Sequence, residues 1–334
     1  MSRTPVIFVL LFIGLCLLFA LEIMLGQVEI PASDILPILF SGEGDKESWI
    51  TIVRQSRLPR AITGILAGGG LAMAGLFMQN YFRNPLAGPS VLGLSSGASL
   101  GVALVVLFGG SLAGGLFTTP LAAGIGASAV LIIILLVARK MSVATLLIFG
   151  LMIGYITSSF IIFLERGATA EALQTFVFWG MGSFGDTTGS SLLILSCVVL
   201  AGFICALLIL KYLNAMMLGR EYAQSMGVPV NWVAIAMLGI AGVVTGVITA
   251  FCGPIAFLGL AVPHLARGIF SSSNHRILFP AVVLIGATLG MACDLLSRGV
   301  ILNFVVPLNA VASLVGVPIV LWVILRNRRL GAWV

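Results

Sequence analysis

The chain has 334 residues, 60% of them hydrophobic and only 8% charged, with a mean hydropathy of +1.19. A soluble domain carries about 25% charged residues, and no water-facing surface of this length could be covered by so few, so the composition excludes an ordinary soluble fold and points to lipid as the solvent. The net charge of +6 comes from basic residues placed singly between apolar runs, without a basic patch or aromatic platform, which argues against nucleic acid as a partner.

Taken in order, the apolar runs predict an all-α integral membrane protein with ten spans, near 5–25, 61–80, 89–109, 115–137, 143–164, 190–212, 231–251, 255–270, 277–298 and 307–326. The first run, from Val6 to Leu25, is longer than the roughly 7–15 residues of a secretory signal and is followed by no small-residue cleavage site. It reads as a retained span. The third span opens on Gly88-Pro89-Ser90-Val91-Leu92-Gly93-Leu94, and the eighth on Gly253-Pro254-Ile255-Ala256-Phe257-Leu258-Gly259-Leu260. Those spans enter from opposite sides, so the echo predicts an inverted internal repeat, an arrangement that recurs in transporters. The eighth span is short. Glycines at four-residue spacing, such as Gly150 with Gly154 and Gly286 with Gly290, give helix faces on which backbones can approach closely.

Charge sets the expected orientation. With the N-terminus in the cytoplasm, eleven of the 17 basic residues fall on inner segments, and the other six (Lys46, Arg54, Arg57, Arg60, Arg166 and Arg298) fall outside. Both termini are therefore expected to be cytoplasmic. Between the sixth and seventh spans, an inner loop from Lys211 to Asn231 is polar, helical in composition and closed by Gly227 and Pro229. Its length exceeds that of a simple turn. On the outer side, Ala170 to Trp179 reads as a short amphipathic helix.

Chemistry is conspicuous by its exclusions. The five cysteines form no C-x-x-C pair and lie in apolar segments, which argues against a disulfide framework or a zinc site. Two histidines, His264 and His275, are too few for a metal or acid–base centre. A Walker A loop needs Gly-Lys-Ser/Thr, but Lys46, Lys140 and Lys211 follow Asp45, Arg139 and Leu210. If ATP drives this chain, another subunit hydrolyses it. The span interiors lack the mid-membrane acids and bases of ion-coupled carriers, which argues against the alternative reading, a stand-alone channel or carrier. A bulky, already chelated solute suits an uncharged path better than a bare ion.

The ordered set Arg57-Leu58-Pro59-Arg60, Gly68 to Gly75, Gln79, Arg83-Asn84-Pro85-Leu86-Ala87, Gly93 to Gly101, Trp179-Gly180-Met181-Gly182-Ser183, Leu218-Gly219 with Ala223 and Gly227, Pro263-His264, His275-Arg276, Asp294 with Arg298 and Gly316-Val317-Pro318 resembles the permease family of iron-chelate, heme and cobalamin ABC importers. The resemblance runs from about residue 50 to the C-terminus. It implies a multi-pass permease of the bacterial cytoplasmic (inner) membrane that takes up a ferric siderophore, heme or cobalamin. The implied partners are a second permease copy, as a homodimer, two cytoplasmic ABC ATPase subunits and an extracytoplasmic binding protein. No cofactor is expected on this chain; ATP and Mg belong to the ATPase. Two stretches depart from the family pattern: Val305-Val306-Pro307-Leu308-Asn309, where Glu-Leu-Pro-Val-Gly is usual, and Ser-Ser-Asn-His-Arg ending at Arg276.

The resemblance also implies roles. Arg57, Arg60 and Arg298 would receive acidic residues of the binding protein; local pairing with Asp45, Glu47 or Asp294 is the alternative. Leu218, Gly219, Arg220, Ala223 and Gly227 would form the coupling helix that seats in the ATPase. Ser142, Val143 and Ala144 fall at the inner gate position, where a plain helix start serves equally well. Trp179 and Phe184 would line the outer mouth of the path, or act as interfacial anchors.

Overall fold

The computed structural model describes residues 3–108, 118–299 and 304–329, and within them every regular element is a helix. In chain order these are α1 (Arg3–Met24), α2 (Ala32–Phe40), α3 (Glu47–Thr51), α4 (Leu58–Phe82), α5 (Leu94–Ala103), α6 (Thr118–Ala138), α7 (Val143–Gly167), α8 (Ala170–Met181), α9 (Gly189–Met216), α10 (Arg220–Ser225), α11 (Val230–Cys252), α12 (Leu258–Phe270), α13 (His275–Ser297) and α14 (Leu308–Arg329). Among the described residues, seven stretches are long and apolar enough to cross a membrane, and three shorter apolar helices, Leu94–Phe108, Leu258–Phe270 and Leu308–Trp322, stand where the third, eighth and tenth spans were predicted. Residue 109 of the third predicted span and residues 115–117 of the fourth lie outside the described residues.

The bundle is built around α4. Of its apolar window 89% is buried, against 11% for α1, so α4 is the core helix and α1 lies at the periphery. Glycine makes that centre possible. A side chain on Gly68 would overlap the Gly286 carbonyl of α13, and one on Gly75 would overlap the Gly259 carbonyl of α12. Backbones therefore touch at both crossings, where packing alone must hold helices that gain no hydrophobic drive from lipid.

α5 and α12 are short because the chain breaks before each. Pro89–Leu92 forms a 3-10 turn ended by Gly93 at φ +76°, and Gly253 (φ +74°) leads an irregular stretch into Phe257, which is itself left-handed at φ +65°. A 13-residue helix such as α12 rises only about 20 Å, short of a ~30 Å hydrocarbon core. Irregular backbone at such depth needs protein partners, and Ala256 N–H finds one in Asn309 Oδ1 at 3.0 Å. The two echo segments meet: a Cβ on Gly259 would lie 2.7 Å from the Pro89 ring. From this meeting point α5 runs toward α8 and α12 toward the opposite end of the bundle, which holds α10.

Between the first two spans the sequence predicted no element, yet α2 folds there and buries Ile35 and Ile38 against Ile23, Ile30 and Val53. The second span likewise begins early. Glu47 to Phe82 is one 36-residue helix with a π turn at Ile52–Arg57. Pro59 cannot donate to the preceding turn, and the widened turn directly ahead of it accommodates that loss.

Candidate functional site

At the α8 end, Arg57, Arg60 and Arg298 line one cavity of about 760 Å³ together with Met181, Ser183 and Pro307. Their side chains are already engaged. Arg57 is 4% exposed, and its guanidinium donates to Ile23 O at 2.7 Å, to Met24 O at 2.8 Å and to Val28 O. The last carbonyls of a helix have no partners within it, so Arg57 closes the end of α1 from another helix. Its partners are these carbonyls, not the Asp45 or Glu47 considered from the sequence. Arg298 donates to Glu22 O (2.9 Å), Leu25 O (3.2 Å) and Asp294 Oδ2 (3.2 Å), and its Nη2 lies 2.5 Å from Glu22 Oε2. That last contact compensates charge without hydrogen-bond geometry, and Glu22 Oε1 has no partner among the described residues.

Arg60 makes the bidentate pair of the group. Its Nε and Nη2 donate to Asp294 Oδ2 at 2.7 Å and Oδ1 at 2.9 Å, the planar fork matched to a carboxylate. Its side chain is 24% exposed, against 7% for Arg298. Arg57 is held by carbonyls alone, whereas Arg60 faces Asp294 and lies near Asp186 as well, and of the Arg60 and Arg298 side chains that of Arg60 is the more open to the cavity.

Trp179 and Phe184 part company. Phe184 is fully buried, with its ring 3.4 Å from where a Cβ on Gly64 would stand, so it belongs to the core between α4 and α13 and not to an open mouth. Trp179 stacks on Phe176 with centroids 6.3 Å apart and lines a smaller cavity of about 370 Å³ with Ser95, Ser96, Ser99 and Ser158. Its indole N–H is buried and unpartnered among the described residues.

At the α10 end a cavity of about 880 Å³ is lined by Asn80, Arg83, Val143, Ala144, Leu147, Leu218 and Gly219. It brings residues expected at the gate and in the coupling segment to one space. Ser142 stands outside it as the cap of α7, accepting from Thr145 N–H at 3.2 Å, which is the helix-start alternative. Gly219 (φ +117°) and Gly227 (φ +82°) set off α10 on both sides, and Val228 N–H closes it on Ala223 O at 3.0 Å. Ala223 is fully buried within the chain, whereas Leu218, Tyr222 and Met226 are 66%, 56% and 50% exposed. Tyr222 and Met226 stand one turn apart, and Leu218 stands ahead of the helix, across the non-helical Gly219. The exposed apolar residues of this segment therefore form a broken stripe, 218/222/226, interspersed with the exposed Glu221, Gln224 and Ser225, which the sequence reading did not pick out. The side chain of Arg220 lies outside what the structure describes.

Comparison with known proteins agrees with this architecture. The profile of the FecCD transport family matches residues 12–326. The hemin transport system permease protein HmuU of Yersinia pestis is 36% identical over 284 residues, covering 84% of each chain. The vitamin B12 import system permease protein BtuC of Klebsiella pneumoniae is 33% identical over 325 residues, covering 95% of this chain and 94% of that one. A solved inward-facing metal-chelate type ABC transporter superposes with a TM-score of 0.83 at 26% identity, over 96% of this chain and 99% of the other. With helices, glycine crossings and broken spans laid out as described, and a family match over nearly the whole length, the chain belongs to the FecCD transport family, whose members are membrane permeases of ABC importers.

Proposed function

We propose that this permease carries a metal held inside a bulky organic ligand, an iron chelate such as a ferric siderophore or heme, or else cobalamin, delivered by an extracytoplasmic binding protein. The observation that carries the reading is the pairing of two unlike ends on one chain: an arginine-lined cavity at the α8 end and an exposed apolar stripe on α10 at the other. The α8 end is read as extracytoplasmic and the α10 end as cytoplasmic, in line with the distribution of basic residues. The arginine-lined cavity suits acidic side chains of a delivery protein, with Arg60 the first to be reached; Arg57 and Arg298 hold the frame it stands on. The stripe Leu218, Tyr222, Met226 suits an apolar cleft on an ATPase that binds ATP and Mg. Two copies of this chain with two ATPases complete the assembly.

Hemin and vitamin B12 both occur among the names of the relatives, and the described residues include no group of three or more His, Cys, Asp or Glu that could hold a bare metal ion. The test is reconstitution of the permease in liposomes with an ABC ATPase and a binding protein from the same organism. ATP-dependent accumulation of ferric siderophore, hemin or cobalamin is expected, each offered separately. Uptake that proceeds without ATPase, or that follows an ion gradient, would favour the carrier reading instead.

A further inference from the structure

The α10 end holds a second polar system that shares only Asn80 with the cavity described above. His275, the first residue of α13, is 1% exposed. Asn274 caps α13 with its Oδ1, which accepts from Arg276 N–H at 3.0 Å. That fixes the direction of the whole chain of hydrogen bonds. Because Asn274 Oδ1 is an acceptor, Asn214 of α9 donates to it through Nδ2 at 3.0 Å, and Asn214 presents its oxygen to His275. Asn214 Oδ1 then accepts twice from one residue, from His275 N–H at 2.8 Å and from Nδ1 at 2.9 Å. A carboxamide oxygen only accepts, so the ring proton sits on Nδ1. Nε2 is left as an acceptor, and Asn80 of α4 donates to it through Nδ2 at 2.6 Å.

This arrangement does two jobs at once. The first N–H groups of a helix have no partner of their own, and here two of them on α13 are satisfied, one by its own cap and one from α9. It also joins three helices at one point. Asn214 lies just before the end of α9, and only Met217 to Gly219 separate α9 from α10. That link is itself tightened by Leu218 N–H to Ala215 O (3.1 Å) and Gly219 N–H to Met216 O (3.2 Å). A shift of α10 therefore pulls directly on Asn214. On the far side of His275, α4 and α13 are tied along their whole length: Asn80–His275 here, Gly68 against Gly286 midway, and Arg60–Asp294 at the α8 end.

We propose that Asn80, Asn214 and His275 form the joint through which movement of the α10 segment passes to the α4–α13 pair, with His275 as its positioning residue held in the Nδ1–H form. The proposal rests on the importer reading, because it supposes that α10 is moved by an ATPase. Three substitutions dissect it in the reconstituted complex. The backbone N–H of residue 275 still reaches Asn214 in all three, so they differ in the side-chain bonds: His275→Asn places an amide nitrogen where Nδ1 stood and keeps that bond to Asn214; His275→Gln restores only an acceptor toward Asn80; His275→Ala keeps neither side-chain bond. Solute moved per ATP hydrolysed is expected to fall about five- to tenfold in His275→Ala and His275→Gln, and to stay within about twofold in His275→Asn. An undiminished ratio in His275→Ala, or an equal fall in all three, overturns the proposal. Should His275→Ala fail to assemble, the contrast between the Asn and Gln variants decides. If the unaltered complex moves no chelate at the expense of ATP, the importer reading has failed, and the joint is then read in the permease alone. Amide exchange over residues 214–226 is expected to quicken in His275→Gln but not in His275→Asn, and equal exchange in both refutes the joint.

Discussion

Replacing Arg298 by Met tests the buried ion cluster most directly. The guanidinium touches α1 through two carbonyls, pairs with Glu22 and binds Asp294. Methionine keeps much of the stem volume but leaves Glu22, 1% exposed, without the guanidinium it pairs with. Asp294 survives the loss better, because Arg60 still grips both its oxygens. Breaking a buried pair from one side costs about 3–5 kcal/mol. The carbonyls of Glu22 and Leu25 lose donors as well, but they lie at the end of α1 beside a cavity that water can enter, so their share is smaller. At about 2–4 °C per kcal/mol for larger proteins, the expected fall in melting temperature in detergent is roughly 6–20 °C. The second half of the experiment isolates the charge. Adding Glu22→Gln to Arg298→Met removes the orphaned carboxylate and is expected to recover about half the loss, while Glu22→Gln alone costs less than Arg298→Met. If Arg298→Met melts within about 1 °C of the unaltered protein, a shift proper to an exposed pair, the cluster does not hold α1 to α13 as described.

Other outcomes follow from the packing and from the orientation. Gly75→Val pushes a branched side chain into the Gly259 carbonyl and is expected to abolish a stable fold in detergent, whereas Gly268→Ala, which meets nothing within 4 Å, is expected to melt within a few degrees of the parent. In a background freed of its five cysteines, Ser41→Cys is expected to label with an impermeant maleimide from outside intact cells and Gln224→Cys only after lysis; the reverse pattern inverts the assigned orientation. Tyr222→Glu, on the exposed face of α10, is expected to weaken ATPase association at least about tenfold, by placing a charge in an apolar contact, without changing the melting temperature of the isolated permease. A binding assay that shows unchanged association removes the stripe from the ATPase interface.

How far the sequence was legible depended on where each residue's partner lies. Long apolar runs such as α9 and α11 were found within a few residues, because lipid demands about 20 apolar residues in a row. Asp294 and Arg298, one turn apart, announced their pairing. Arg57 did not, because its partners are backbone carbonyls of α1 about thirty residues earlier, and a carbonyl carries no residue identity to read. Ala223 looked like a contact residue by its place in a motif, yet the short α10 turns that side inward and presents Leu218, Tyr222 and Met226. Helix α2 left no sign, since a nine-residue helix containing Pro37 offers too few turns for a periodicity to show. The Asn80–His275–Asn214 network was hidden for the same reason as Arg57: its members come from three helices, and only the fold brings them together.

The outward turn of three side chains on α10 has a consequence for how such permeases diversify. Leu218, Tyr222 and Met226 stand in solvent-facing positions, while the segment is held in place by Ala223 behind it and by glycines at its ends. Exposed positions away from caps and cavities can be exchanged within about 0.5 kcal/mol of stability. If this stripe is what an ATPase recognises, the permease can trade one motor for another by rewriting three letters on its rim. Nothing in the helical bundle would need to be repacked, and the solute path would be inherited unchanged.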